Sequence, residues 1–585
     1  MNIRTLALAT TALVLPLAAS ANDNSAFLDQ FGNNNEALVT QDGNANRAGT
    51  DAETRNNPTL TREARQVMTQ NGNNNSLILT QTGRSNEFTN FSEQRIGRGS
   101  DADGFGIGFD QTGNANRAEV TQTGRDNGMA RLQQLNGNSA FIDQFGGEYT
   151  GGQSRPANYI TTLFQENTGG MRNVARVDQS RTDFSNAAGG NNGANIIGEA
   201  GGPSRVGRGG GGMFQVGVEN TLRIIQDGSR NEIFSTDQSG ASNQLLMRQE
   251  GFNNFVGTVT QNSTGANGNE ATIRQIGEGN NRSGFTSLSF SNATSLLGGA
   301  AFADVTQLGE NNSLNYLARG DFNAMGFLQD GNNNTVGNVT VIGDGNETAA
   351  VQIGDGNTAS IAPIVGTDND VGVGQGGDGN MATVTISAGG SFNNFGVGQI
   401  GNTNTATLTG SGNGNIGAIV QFGDLNTATV SADGDGNIVG GASIGDMNTI
   451  TVAVTGSGNL AAVGQLGFMN SASLTVIGNG NGGGAFSGDA QSANFAGQFL
   501  NVALSGFVPA TFGSGLVGQI GDMNAFTGEI TGNNNEFGAV QLGDDNTITA
   551  TVTGNMNQFA VAQLSSSNVA TVTQMGNGNN AGVLQ

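Results

Sequence analysis

The sequence predicts an all-β protein: a β-solenoid of stacked 22-residue strand-turn-strand-turn coils, parallel and in register as in cross-β fibres. Three observations carry that expectation. Asparagines return every 11 residues at Asn404, Asn415, Asn426, Asn437, Asn448, Asn459, Asn470 and Asn481, and again from Asn524 through Asn535, Asn546, Asn557 and Asn568 to Asn579. Glutamines tend to fall in every other copy, at Gln399, Gln421, Gln465, Gln519, Gln541 and Gln563. Between them stand "GDLN", "GDMN", "GSGN" and "GDDN", built from residues that tolerate positive φ and close tight turns.

The beat begins early. Gln30, Gly32 and Asn35 are answered by Gln41, Gly43 and Asn46; Gln70, Gly72 and Asn75 by Gln81, Gly83 and Asn86; Gln111, Gly113 and Asn116 by Gln122, Gly124 and Asn127. It slips to 12 between Gln226 and Gln238 and returns at Gln249. In the second half the triplet recurs at Gln421-Gly423-Asn426, Gln465-Gly467-Asn470, Gln519-Gly521-Asn524 and Gln541-Gly543-Asn546, with Gln574 before Asn579. Val454, Val476 and Val552 stand for glutamine in intervening copies, which sets the unit there at 22 residues.

Strand alternation gives each copy two faces. From Asn404, Ala406, Leu408 and Gly410 share its face; in the next copy Asn415, Gly417, Ile419, Gln421 and Gly423 do so. Small and aliphatic residues with one Asn and one Gln recur there, so this face is the expected interior. A helix is excluded by Gly, Asn and β-branched Thr in every turn. An antiparallel meander joined by tight turns is the rival; likeness at 22 residues favours stacking like on like. Stacking also accounts for the polar positions. A buried amide left unpaired costs roughly 1–3 kcal/mol, and each amide placed over its own copy can donate one way and accept the other.

Composition narrows the chemistry. The chain has 97 glycines, 6 prolines, only 12% charged residues, and no cysteine, histidine, tryptophan or lysine. No thiol nucleophile, imidazole base or common zinc site is available; no cofactor, metal or catalytic residue is expected. The 23 arginines, all at or before Arg319, meet 29 acidic residues there, leaving −6; beyond it 18 acidic residues stand alone, giving −18. Such a surface does not suit nucleic acid.

Residues 1–21, "MNIRTLALATTALVLPLAASA", read as a signal peptide: Arg4, an apolar run from Leu6 to Leu17, and Ala19-Ser20-Ala21 as the cleavage site. The run is too short to span a bilayer and no later segment does so, so the expectation is export without a transmembrane segment. The expected organisation is then repeats at 22–144, an irregular Gly-rich insertion at 145–215, repeats at 216–282, an insertion at 283–305, regular repeats at 306–481, an insertion at 482–517 and regular repeats at 518–585.

The pattern Gln-x-Gly-x-x-Asn-x-Ala-x-x-x-Gln stands intact at Gln30-Gly32-Asn35-Ala37-Gln41 and Gln111-Gly113-Asn116-Ala118-Gln122; at Gln563-Asn568-Ala570-Gln574, Ser565 replaces the glycine. It resembles the curlin repeat of bacterial curli fibres, in far more copies than the handful usual there. The resemblance implies a secreted functional amyloid, an extracellular or cell-surface fibre (a pilus in the broad sense) supporting adhesion, aggregation and biofilm matrix. It implies as partners further copies of the chain, other curlin-type subunits, a nucleator, and a curli-type secretion channel with its chaperones. It also implies that the repeat Gln and Asn are inward ladders. Only Asn22 to Ala26 precede the first repeat, where curli subunits carry a glycine-rich targeting segment.

Other features suggest alternatives. Thr405, Thr407, Thr409, Thr427, Thr429, Thr449, Thr451, Thr547, Thr549 and Thr551 align on one outer face. Such Thr-x-Thr rows resemble ice-binding solenoids and give the alternative of a monomeric secreted β-solenoid acting in ice binding or surface adhesion. The opposite face is apolar, with Ile416, Ala418, Val420, Phe422, Leu460, Ala462, Leu466, Ala560, Ala562 and Leu564, a candidate surface for lateral association or for packing against an insertion. "GDGN" turns suggest calcium, but on a beat of eleven rather than nine. Asp544-Asp545 or Asp433 with Asp435 could be proposed as acidic pairs, yet both belong to the repeat, where a catalytic site should break it.

Overall fold

The computed structural model describes residues 25–26, 28–44, 46–48, 68–84, 86–88, 108–125, 127–146, 158–181, 195–198, 211–282, 297, 301–361, 363–387, 389–485 and 514–585. The signal peptide expected at 1–21 lies outside them. The chain divides into two compact units, Met1–Arg282 with Ala303–Asn312, and Ser283–Phe302 with Ser313–Gln585.

Each unit is a parallel β-solenoid. In the second, Ile416–Phe422 pairs in parallel with Asn394–Ile400 on one side and Ile438–Ile444 on the other. The strand between Ile416–Phe422 and Ile438–Ile444 in sequence, Thr427–Asp433, pairs instead with Thr405–Ser411 and Thr449–Thr455. Successive strands therefore alternate between two sheets, called here A (through Ile416–Phe422) and B (through Thr427–Asp433). A meander would pair sequence neighbours antiparallel; these pair parallel, one coil apart. The first unit is built alike, with Ser76–Arg84 over Arg117–Arg125 in sheet B and Asn127–Leu135 over Asn158–Asn167 in sheet A.

The turns explain the glycines. Gly456 has φ of 120°, and a Cβ there would lie 1.8 Å from the carbonyl oxygen of Gly478, the same turn position one coil on. Gly32, Gly43, Gly72, Gly83, Gly423, Gly467 and Gly521 meet the same limit against the stacked glycine, at 1.8 to 2.3 Å. Packing inside is equally close. Gly410 and Gly417 make room for the ring of Phe395, a Cβ at Gly410 falling 2.2 Å from it.

Several expectations are corrected. Residues 145–215 are not an irregular insertion: they contain strands Asn158–Asn167, Val174–Arg181, Asn195–Ile197 and Met213–Val218, all in register. They escape the 11-residue beat because the stretches 147–157 and 182–194 separate them, and because Asn158 reaches Gln165 in seven residues rather than six. The slip from Gln226 to Gln238 has the second cause: the pairing of Glu232–Ala241 with Phe255–Asn262 passes over Phe234 and Gly257. Nor is the coil 22 residues throughout, since Asn323, Asn346 and Asn369 stack at intervals of 23.

Insertions that split a strand do so at one place in the coil. Arg47–Ala48 and Met68–Asn71 are halves of one sheet A strand. Their neighbours Glu87–Phe88 and Gly108–Thr112 both pair with the continuous strand Asn127–Leu135. Asn195–Ile197 and Met213–Val218 are likewise halves, each pairing with Asn158–Asn167. In the second unit Leu460 donates its N–H to Asn481 O, while Ala462 pairs with Leu516. The expected insertions at 283–305 and 482–517 enter at this same point; Val305–Leu308 and Leu516–Ile520 already belong to sheet A.

The apolar outer strip of sheet A is covered in part: Leu466 and Leu564 are exposed and Ile416 and Phe422 half-buried, but the rest is not open. Ala418, Val420, Leu460, Ala462, Ala560 and Ala562 are buried although they point away from the interior. Leu460, Leu516 and the alanines 418, 442 and 462 pack as one cluster with Ile438 against it. Leu297 lies on the same face, so close to Gly376 that a Cβ there would sit 2.9 Å from its methyl.

Gly456→Ala is expected to destabilise the protein by more than about 2 kcal/mol, combining a left-handed backbone with a carbonyl clash. Gly458→Ala, at φ 66° with open space beside it, should cost about 1 kcal/mol. Denaturant unfolding of the two variants measures the difference.

Candidate functional site: the amide ladders

Columns of buried amides run along the coils, among the described residues four in the first unit and three in the second. Two in each unit are asparagine columns, one at each turn. Asn426 shows the pattern: its backbone N–H and its Nδ2 both donate to Asn404 Oδ1, at 2.9 and 3.1 Å, and Nδ2 also donates to Gly445 O at 2.7 Å. Asn448 repeats this on Asn426, and Asn470 on Asn448. Each Asn therefore ties the preceding rung to the glycine turn of the following one, which is why Asn and Gly keep one beat. In the first unit Asn35, Asn75 and Asn116 stack in one such column, and Asn46, Asn86 and Asn127 in the other. In the second unit Asn524, Asn546 and Asn568 close the column of Asn426; Asn557 and Asn579 stand in the other.

The glutamine columns lie midway along the strands. In the first unit both sheets carry one. Sheet A stacks Gln30, Gln70 and Gln111 and goes on to Gln134, Gln165 and Gln215. Sheet B stacks Gln41, Gln81 and Gln122 and goes on to Gln144, Gln179 and Gln226. In the second unit only sheet A keeps glutamine, with Gln399 donating to Gln421 and Gln465 to Gln519, Gln541 and Gln563 in turn, at 2.8 to 3.1 Å. Opposite it stand Ala432, Val454, Val476, Ile530 and Val552, an aliphatic column that ends at Gln574. Most Gln Nε2 groups also reach a backbone carbonyl, as Gln519 does to Ser471 O at 3.1 Å.

One rung is broken. Ser443 takes the place between Gln421 and Gln465, and its buried hydroxyl and Gln465 Oε1 lack hydrogen-bond partners. The remaining predicted glycines fall at the same turns: Gly113 at φ 90° faces Asn136, Gly124 at φ 93° faces Gly146 O, and Gly543 at φ 104° faces Ser565 and Ser566. The predicted threonines all lie on the outer face of sheet B in register, Thr405 over Thr427 and Thr449, Thr407 over Thr429 and Thr451, Thr409 over Ser431, and Thr547, Thr549 and Thr551 together on one strand.

Sequence reading missed Gln134, Gln144, Gln165, Gln179 and Gln215, hidden by bulges and insertions; a search for Asn followed by Gln at six or seven residues would have found most of them. It also missed a second set of ladders in the turns. Asn402 N–H donates to Asp424 Oδ1 and Asp424 N–H to Asp446 Oδ1; at the other edge Asn533 N–H donates to Asn555 Oδ1. These run in the opposite sense to the buried asparagines.

Charge enters the outer face of sheet B in the first unit. Arg117 pairs with Glu119 at 3.1 Å and Arg176 with Asp178 at 3.3 Å, exposed pairs of small worth. Register sets Asp143 directly beside Asp178. Burial, then the Asp178 carboxylate, raises the Asp143 pKa above the usual carboxylate range, with Arg176 opposing. Burial also raises Asp237, and raises the Tyr316 hydroxyl, whose ring packs on Phe327.

Gln519→Leu should cost about 1–3 kcal/mol, because Gln541 Oε1 loses its donor and Gln465 Nε2 one acceptor inside the core; thermal unfolding reads it. Asp143 has a folded pKa above its unfolded one, so its ionisation weakens folding: the penalty is absent below the unfolded pKa and grows as pH rises through the folded value. Asp143→Asn should therefore raise the melting temperature at neutral pH, the gain vanishing as pH falls to 3, in scans across that range.

No curated protein matches the chain. Residues 21–51, which hold the first Gln30-Gly32-Asn35 and Gln41-Gly43-Asn46 copies, match the family model described as curlin associated repeat.

Proposed function

We propose that this chain is the structural, non-catalytic subunit of an extracellular curli-like amyloid fibre, growing by end-to-end stacking of coils and serving adhesion, aggregation and biofilm matrix. The observation that carries the proposal is the sense of the ladders. Along the ladders, outside the rung broken at Ser443, glutamine donates toward the C-terminal coil and asparagine accepts from it. The upper and lower faces of any coil are therefore complementary, and a second copy meets the same donors and acceptors that the next coil of the same chain would. Such contacts are head-to-tail and do not close, which gives filaments rather than rings. The curlin associated repeat at 21–51 supports the same reading, as does the signal-like segment at 1–21 for export. No helix among the described residues is long and apolar enough to cross a membrane. Other curlin-type subunits, a nucleator, a secretion channel and chaperones are the partners this reading brings.

A second reading, a monomeric solenoid binding ice or another surface through its threonine face, is favoured by one observation. Ser360, Thr383, Thr407, Thr429, Thr451, Ser473, Thr527, Thr549 and Thr571 form an unbroken column of hydroxyls through successive rungs of sheet B.

Purified mature chain, incubated at micromolar concentration, should form thioflavin-positive filaments visible by electron microscopy, with a fibre reflection near ~4.8 Å. A chain that stays monomeric by light scattering while showing thermal hysteresis would replace the first reading with the second.

A further inference from the structure

The third turn residue is left-handed at both edges of the coil. At one edge of the second unit four successive coils fill this position with glycine, Gly414, Gly436, Gly458 and Gly480, at φ of 62° to 66°. At the opposite edge of those coils it is filled by Leu425, Met447, Met469 and Met523, at φ of 56° to 58°. A left-handed conformation costs a side-chain-bearing residue roughly 1–2 kcal/mol, and here that cost recurs with no burial to offset it, since all four are about half exposed. The three methionines are consecutive rungs. Met469 donates its N–H to Asp446 O at 3.1 Å, and Met523 to Phe468 O at 2.9 Å. Met469 and Met523 lie 54 residues apart in sequence, so only the register of Leu460–Leu466 with Leu516–Ile520 brings them together.

We propose that Met447, Met469 and Met523 form a thioether site for a soft monovalent cation, Cu(I). Their backbones are spaced by the rung distance of ~4.8 Å, and the methionine side chain is unbranched with three rotatable bonds. Neighbouring sulfurs can therefore close on one ion. Thioethers select Cu(I) over hard cations. Asp424 stacks on Asp446 and Asp522 on Asp544 along the same turn edge, with Phe468 on the rung between the pairs, and no basic residue follows Arg319, so the local field attracts a cation. The same carboxylates disfavour reading the ridge as a contact between two copies of this chain, since each copy would bring its own row of negative charge.

The test uses the full chain under nitrogen, titrated with Cu(I) in competition with a chromophoric Cu(I) chelator. Wild type should withdraw one Cu(I) per chain, with a sulfur-only first shell by X-ray absorption. The triple variant M447L/M469L/M523L keeps the apolar ridge and should bind at least ten-fold more weakly. M447G/M469G/M523G should lose the site equally while melting at the same or a higher temperature, which separates loss of ligands from loss of fold. Failure of wild type to compete, copper retained in the leucine variant, or an oxygen and nitrogen shell would each overturn the proposal.

Discussion

The structure depends on one constraint: a buried side-chain amide satisfies both its ends best where its own copy lies one rung away. Asn426 has no partner within its coil that could satisfy both ends of its amide; it uses Asn404 behind and Gly445 ahead. That requirement fixes the parallel arrangement, because only parallel in-register strands bring position over position. It fixes the register to the residue, because a slip of one would turn the amides out and the Thr row in. It also fixes glycine, because the carbonyl that receives Asn426 Nδ2 must approach its stacked neighbour more closely than any Cβ allows.

The two units meet this constraint differently. With glutamine in both sheets, the first carries four polar columns and an outer face of arginines and carboxylates. The second replaces one glutamine column by Val454, Val476, Ile530 and Val552, and has no arginine beyond Arg319. An aliphatic column needs no exact copy above it, which is why Ala432, Val454 and Ile530 can succeed one another there. The glutamine column across the core cannot vary so freely: at Ser443 the substitution leaves both Ser443 Oγ and Gln465 Oε1 unpaired.

The fold class, the inward Gln and Asn positions and the outward threonines were legible because each lies at a fixed interval in the regular blocks. The 145–215 region was not, for a physical reason. An extra residue in the strand through Asn158 keeps both anchors, Asn158 and Gln165, in their ladders while destroying the sequence interval between them. Periodicity in sequence is a sufficient sign of this fold but not a necessary one, since what must repeat is the position in space. Burial of Ala418 and Ala562 was illegible for the complementary reason: alternation tells which way a side chain points, not what lies over it.

Where the chain splits a strand follows from the same logic. The breaks after Ala48, Phe88, Ile197 and Gly483 all fall after the buried asparagine and before the buried glutamine. A cut between these anchors leaves both amides on their columns, and the strand resumes in register at Met68, Gly108, Met213 and Leu516. Stretches 147–157 and 182–194 fall elsewhere, between Gln144 and Asn158 and between Gln179 and Asn195, where they separate successive strands and split none. In the strand following Asn35, by contrast, Glu36–Asn44 runs unbroken from just after one asparagine through the glutamine of sheet B. Each coil of the first unit can thus gain length within sheet A while sheet B continues without a break beside it. The ladders set where the molecule can grow new segments, and they direct those that split strands to one face.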